Sequence, residues 1–118
     1  MEALTRMKAL VEQILAFRKE RDWQQFHTPR TLASSIAIEA SELLEIFQWS
    51  SDATMDCDAA KHRVDIQREL ADIAIYGLLM AHDLGIDLEE AITAKLAENG
   101  AKYPVEKAKG RREKYTEL

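Results

Sequence analysis

Four carboxylates stand where carboxylates are costly. Glu39 and Glu42 lie inside the apolar run IAIEASELL, and Glu69 and Asp72 lead into LADIAIYGLLM. Members of each pair are three residues apart, so each pair shares one face of a helix. An ionised carboxylate buried without a partner costs several kcal/mol or takes up a proton. Neither segment holds a Lys or Arg to neutralise them. A hard divalent cation does so: Mg²⁺ favours carboxylate oxygens and completes its shell with water and phosphate oxygens. If the two helices pack antiparallel, all four acids converge. The competing reading is that they are solvated stripes, or pair with cations from elsewhere in the chain. One Glu-x-x-Glu helix is read that way; two acidic pairs embedded in apolar runs put a metal site on an equal footing with it.

Other metal chemistries fit less well. A dinuclear iron bundle needs Glu-x-x-His on two helices, and none of His27, His62 and His82 follows a Glu by three. The acidic stretch Asp52, Thr54, Asp56, Asp58 lacks the central Gly of a calcium loop, and Arg63 stands where its closing Glu belongs. It reads as a solvated connection.

The elements that must position these acids are helices. Leu4, Met7, Leu10, Val11, Ile14 and Phe17 recur at helical spacing, which predicts a first helix over about residues 2–20. After ERDWQQFHTPR, Thr28 as N-cap and Pro29 in the first turn predict a second helix reaching about Trp49. Residues 50–58 read as a loop. A third helix is expected from about Ala59 to Leu84, ending before Gly85 and buried on nearly every side over residues 70–80. Asp87 and Glu90 start a fourth, which is expected to stop near Asn99-Gly100. The basic tail from about 101 to 118 is weakly patterned. The expectation is an all-α four-helix bundle in a single domain spanning residues 1–118.

Composition narrows the partners. Of the 118 residues, 47% are hydrophobic and 31% charged, which suits a globular chain and not a disordered one. The net charge of −5 argues against a nucleic acid polymer as ligand, since that needs a Lys/Arg-rich face. It leaves a small phosphate ligand open, because a metal can mediate. No run nears the ~20 apolar residues of a membrane span, the N-terminus has no apolar signal-peptide core, and Cys57 has no internal partner. A soluble cytoplasmic protein without membrane attachment is expected.

Other residues are weaker signals. Trp23, Phe26, Phe47 and Trp49 bracket the second helix, where aromatics more often pack than stack on a base. Tyr76 follows Asp72 by four, on the acidic face. His27 could bond a base or phosphate, although a loop histidine more often does neither. Lys95 and Asn99 share a face of the fourth helix and could reach a phosphate, or stay in water.

These residues resemble a known family. Glu-x-x-Glu on one helix and Glu-x-x-Asp on a later one are similar to the MazG-type all-α nucleoside triphosphate pyrophosphohydrolases. The segments ERDWQQFHTPR (20–30), EASELLEIFQW (39–49), ELADIAIY (69–76) and KYTEL (114–118) resemble its dCTP pyrophosphatase branch. The resemblance implies that Glu39, Glu42, Glu69 and Asp72 bind Mg²⁺, and that Trp23, His27, Trp49 and Tyr76 bind the nucleotide. It sets Lys95 and Asn99 near the phosphates. It further implies cleavage between the α and β phosphorus atoms, giving monophosphate and pyrophosphate, in a homo-oligomer (dimer or tetramer). Ile14 departs from the polar residue of some relatives, and the loop after Trp49 is shorter. Both border the pocket, so dCTP is the leading substrate and the base stays open. On this reading Glu42 is a metal ligand that also orients or deprotonates water, and Lys95 stabilises the leaving pyrophosphate. The non-enzymatic alternative is a helical interaction module whose acidic face binds a partner.

Overall fold

A computed structural model describes residues 2–118 of the chain, with side chains from residue 6 onward. Leu4 of the expected apolar stripe and the start of the N-terminal segment therefore lie outside the described side chains. Six α-helices follow one another: α1 (Glu2–Glu20), α2 (Pro29–Ile46), α3 (Met55–Lys61), α4 (Arg63–Asp83), α5 (Leu88–Lys102) and α6 (Val105–Ala108). Short 3₁₀ turns lie at Gln24–Phe26 and Tyr115–Glu117. No strand occurs among the described residues, so the all-α expectation holds. The chain forms two compact units, residues 1–84 and 85–118.

In the first unit, α2 packs chiefly along α4, with α1 also against α4. The start of α2 is set as expected. Thr28 Oγ1 accepts from the Thr31 amide at 3.1 Å, and the Thr28 amide donates to Thr31 Oγ1 at 2.8 Å, with Pro29 at the first helical position. This reciprocal cap fixes where Glu39 falls on the helix. Leu32, one turn in, is 1% exposed and is the most deeply buried apolar side chain described; Leu79 and Ala81 of α4 join it.

Several expected boundaries differ. Helix α2 ends at Ile46, and Phe47–Trp49 form a turn. The expected loop 50–58 turns helical at Met55, and the long third helix is interrupted at His62 (φ −104°, ψ 24°). The acids that made this stretch look solvated sit in the first turn of α3, where Asp56 and Asp58 complement the helix dipole. Asp58 also accepts from the Ser50 hydroxyl. The burial of residues 70–80 on all sides is corrected as well: Leu70 is 53% exposed, because α1 and α2 cover only part of the circumference of α4. Gly85, at φ +66°, follows the end of α4.

In the second unit, Asp87 caps α5 by accepting from the Glu90 amide at 3.1 Å. Helix α5 passes through Asn99-Gly100 and stops only after Lys102. A mid-helix Gly costs about 1 kcal/mol and does not end a helix, whereas Pro104 disfavours helical geometry at the preceding Tyr103. The tail is more ordered than its pattern suggested. It forms α6, and the Tyr115 ring meets Tyr103 edge-on at 5.8 Å, with Lys102 Nζ 5.0 Å from its centre.

Because Leu32 is fully enclosed, Leu32→Ala is expected to destabilise the fold by about 3 kcal/mol, read as a lower urea midpoint at unchanged slope. A loss below about 0.5 kcal/mol would mean that this position is not part of a packed core.

Candidate metal centre and adjoining cavity

The packing of α2 on α4 brings three of the four acids together. One carboxylate oxygen from each of Glu39, Glu69 and Asp72 lies within 4.8 Å of the others, with Glu39 and Glu69 half-buried. Like charges that close cannot all stay ionised without a counter-ion. The Glu39 carboxyl is accordingly pushed up to about 7, mainly by sharing a proton with Glu69, then by burial and by Glu42. Glu69 Oε2 is buried and has no hydrogen-bond partner among the described residues. An orphaned buried oxygen, an all-carboxylate donor set and an absence of nearby cations in the sequence segments together fit a hard divalent ion. Glu42 lies one turn further along α2, exposed, near enough to raise Glu39 but outside the group of three.

Asp72 also lines a cavity of about 430 Å³ within the first unit, a size typical of small-ligand sites. Leu10, Ile14, Phe17, Ile75 and Leu79 give it apolar walls, and Gln13, Arg18, Trp23, His27 and Tyr76 supply its polar and aromatic groups. Trp23 is set by a turn at the end of α1. Asp22 adopts the left-handed conformation (φ 53°), and Gln25 Nε2 donates to its carbonyl at 3.0 Å and its carboxylate at 2.9 Å. Asp tolerates that conformation better than most residues because its side chain bonds locally. The Trp23 ring then meets Phe17 edge-on at 5.8 Å. His27 meets Tyr76 edge-on at 6.3 Å, and its buried Nδ1 has no partner among the described residues. Burial first, then the Arg18 charge, lowers the proton affinity of His27 and favours the neutral ring.

One face of α4 joins the two features. Asp72, Tyr76, Leu79 and Asp83 recur at three- and four-residue steps, so acid and cavity walls form one row. From Asp72 to Asp83 the row spans about 16 Å.

The remaining candidate residues lie apart from this group. Trp49 is 89% exposed and does not line the cavity. Lys95 pairs with Glu98 at 3.3 Å on α5, and Asn99 is half-buried, its carbonyl accepting from the Tyr103 amide at 2.8 Å; both belong to the second unit. Conversely, the cavity and its ion pair use Arg18, Asp83 and Gln13, which carry no signal of function in the sequence, and Leu10 and Leu79, which there read only as apolar helix positions. Leu10, Ile14 and Arg18 follow at four-residue steps, the one signal that Arg18 shares the inward row.

The chain has known counterparts in sequence and in fold. The profile of the MazG-like family matches residues 34–118, and the chain belongs to that family. It is 42% identical over 104 residues to dCTP pyrophosphatase 1 of Rattus norvegicus and 38% identical over 104 residues to that of Homo sapiens. Each match covers 86% of this chain and 61% of the relative. The chain thus spans about three fifths of the length of the curated relatives it matches. The crystal structure of a pyrophosphatase from Archaeoglobus fulgidus superposes with a TM-score of 0.82 at 38% identity, covering 84% of this chain and 93% of that one.

The raised Glu39 carboxyl has a measurable consequence. A group whose folded pKa exceeds its unfolded value near 4.5 keeps its proton better in the folded state. Its stabilising contribution is full below 4.5 and is lost as pH rises to about 7. Thermal melts in chelator are therefore expected to fall across that window relative to Glu39→Gln, which lacks the titration. Parallel pH profiles for the two proteins would rule out the shared proton.

Proposed function

We propose that the chain is a Mg²⁺-dependent nucleoside triphosphate pyrophosphohydrolase, converting a deoxynucleoside triphosphate to monophosphate and pyrophosphate. The observation that carries this is the continuity of the Glu39–Glu69–Asp72 cluster with the Trp23–His27–Tyr76 cavity through Asp72. A nucleotide laid along that face of α4 has its phosphates at the acidic end and its base among the aromatics. The pyrophosphatase names of the relatives and of the structural neighbour support the same reaction. They make dCTP the leading substrate.

In this reading Glu39, Glu69 and Asp72 hold the metal, with Glu42 as a fourth ligand. Mg²⁺ held there would offset negative charge on the phosphates and would make water more acidic. Glu42, exposed beside the cluster, is the carboxylate proposed to orient or deprotonate the attacking water. Trp23 and Tyr76 pack the base and sugar, and neutral His27 offers a ring nitrogen to the nucleoside. Trp49, Lys95 and Asn99 enter on the family likeness alone, Lys95 stabilising the departing pyrophosphate.

The whole chain, residues 1–118, is proposed to act as one catalytic domain in a homo-oligomer. Leu44 of α2 is 71% exposed, and Ile38, Val64 and Leu70 are also open, a set of apolar side chains that a second copy would cover. No described helix is long and apolar enough to cross a membrane. A cytoplasmic location is proposed alongside, in keeping with the unpaired Cys57.

Incubation with each dNTP and Mg²⁺, followed by separation of products, is expected to yield dNMP and pyrophosphate. Release of dNDP and orthophosphate would overturn the cleavage position. Glu39→Gln and Asp72→Asn are expected to lower kcat by at least about a hundredfold with helical content intact. Parental turnover in either variant would remove that residue from the metal centre.

A further inference from the structure

Arg18 is the one charged side chain buried among the described residues, at 3% exposure. Its guanidinium donates from Nη1 to Asp83 Oδ2 and from Nη2 to Asp83 Oδ1, each at 2.8 Å. Such a fork fixes distance and direction together. Asp83 is the more exposed partner, and as a source of stability a part-buried ion pair seldom surpasses well-packed apolar residues. Its location suggests a different use. Arg18 lines the cavity, and its carbonyl accepts from the amides of Arg21 at 3.3 Å and Trp23 at 3.1 Å. The Arg21 guanidinium in turn lies 3.7 Å over the Phe17 ring, the ring against which Trp23 packs. One residue therefore ties α4, the end of α1 and the backbone of Trp23 into a single arrangement. His27 lines the same cavity as Arg18, and the Arg18 and Asp83 charges act on its ring in opposite senses. Asp83 is correspondingly held below its ordinary 3.8 by Arg18.

We infer that the Arg18–Asp83 pair positions Trp23 and His27 at the nucleoside end of the cavity, setting affinity for the nucleoside without entering the chemistry at the phosphates. The two are positioning residues: they act through the aromatic wall. The nature of the ligand rests on the nucleotide reading above, while the positioning of Trp23 can be read without any ligand.

The test uses the full chain with Arg18→Met/Asp83→Leu, which removes both charges and leaves neither stranded. In a Trp49→Phe background, acrylamide quenching reports Trp23 alone, and Trp23 is expected to become more accessible in the double variant. In the parent background, KM for dCTP with Mg²⁺ is expected to rise about tenfold with little change in kcat. Unchanged quenching, or unchanged KM in a folded double variant, would overturn the inference. If circular dichroism finds the double variant unfolded, Arg18→Lys decides, since an ammonium keeps the charge but loses the fork. A raised KM at parental kcat supports positioning, and an equal fall in kcat and kcat/KM refutes it. A parent chain inactive on every dNTP would sink the nucleotide reading instead, leaving the quenching measurement to judge the pair.

Discussion

Mutual repulsion among Glu39, Glu69 and Asp72 is the constraint around which the first unit is arranged. Three carboxylate oxygens within 4.8 Å repel one another, and the packing of α2 on α4 nonetheless holds them there. The cap at Thr28 and the enclosed Leu32 anchor the first turns of α2. Glu39 shares a proton, and Glu69 Oε2 goes without a partner. Both features fit a donor set for a divalent cation, whose charge would offset the repulsion.

Helix α4 then acts as a ruler. Its acidic end carries Glu69 and Asp72 of the carboxylate cluster, its middle supplies Tyr76 and Leu79 to the cavity, and its last turn grips Arg18 through Asp83. Charge repulsion governs one end and charge pairing the other, with an apolar stretch between. Arg18 and Asp83 neutralise each other, so the Arg18 end of the cavity carries little net charge. The two ends therefore differ in character, with crowded carboxylates at one and paired charges beside aromatic rings at the other.

The sequence made part of this legible. Glu39, Glu69 and Asp72 stood out because acids inside apolar helical runs violate the usual pattern, and violation is informative. Thr28-Pro29 marked the start of α2 through known capping chemistry. Asp56 and Asp58 misled, because acids in a first helical turn look like acids in a loop. Gly100 misled because glycine resembles a stop signal, while the residues before Pro104 carried the true boundary of α5. Arg18 and Asp83 were invisible for a different reason. A charged residue near a helix end is ordinarily solvated, and only tertiary packing brings these two within 2.8 Å. The apolar walls Leu10, Ile75 and Leu79 read as core, which they resemble in every local respect.

A divalent cation entering the acid cluster would displace the proton that Glu39 holds. Calorimetric titration of Mg²⁺ into the nucleotide-free protein, in buffers of different ionisation enthalpy, measures both events together. Near pH 6.5, below the Glu39 value of about 7, binding is expected to release protons, and above about pH 8.5 it is expected to release almost none. Absence of Mg²⁺ binding at both pH values, or binding at the lower pH with no proton released, would contradict the account.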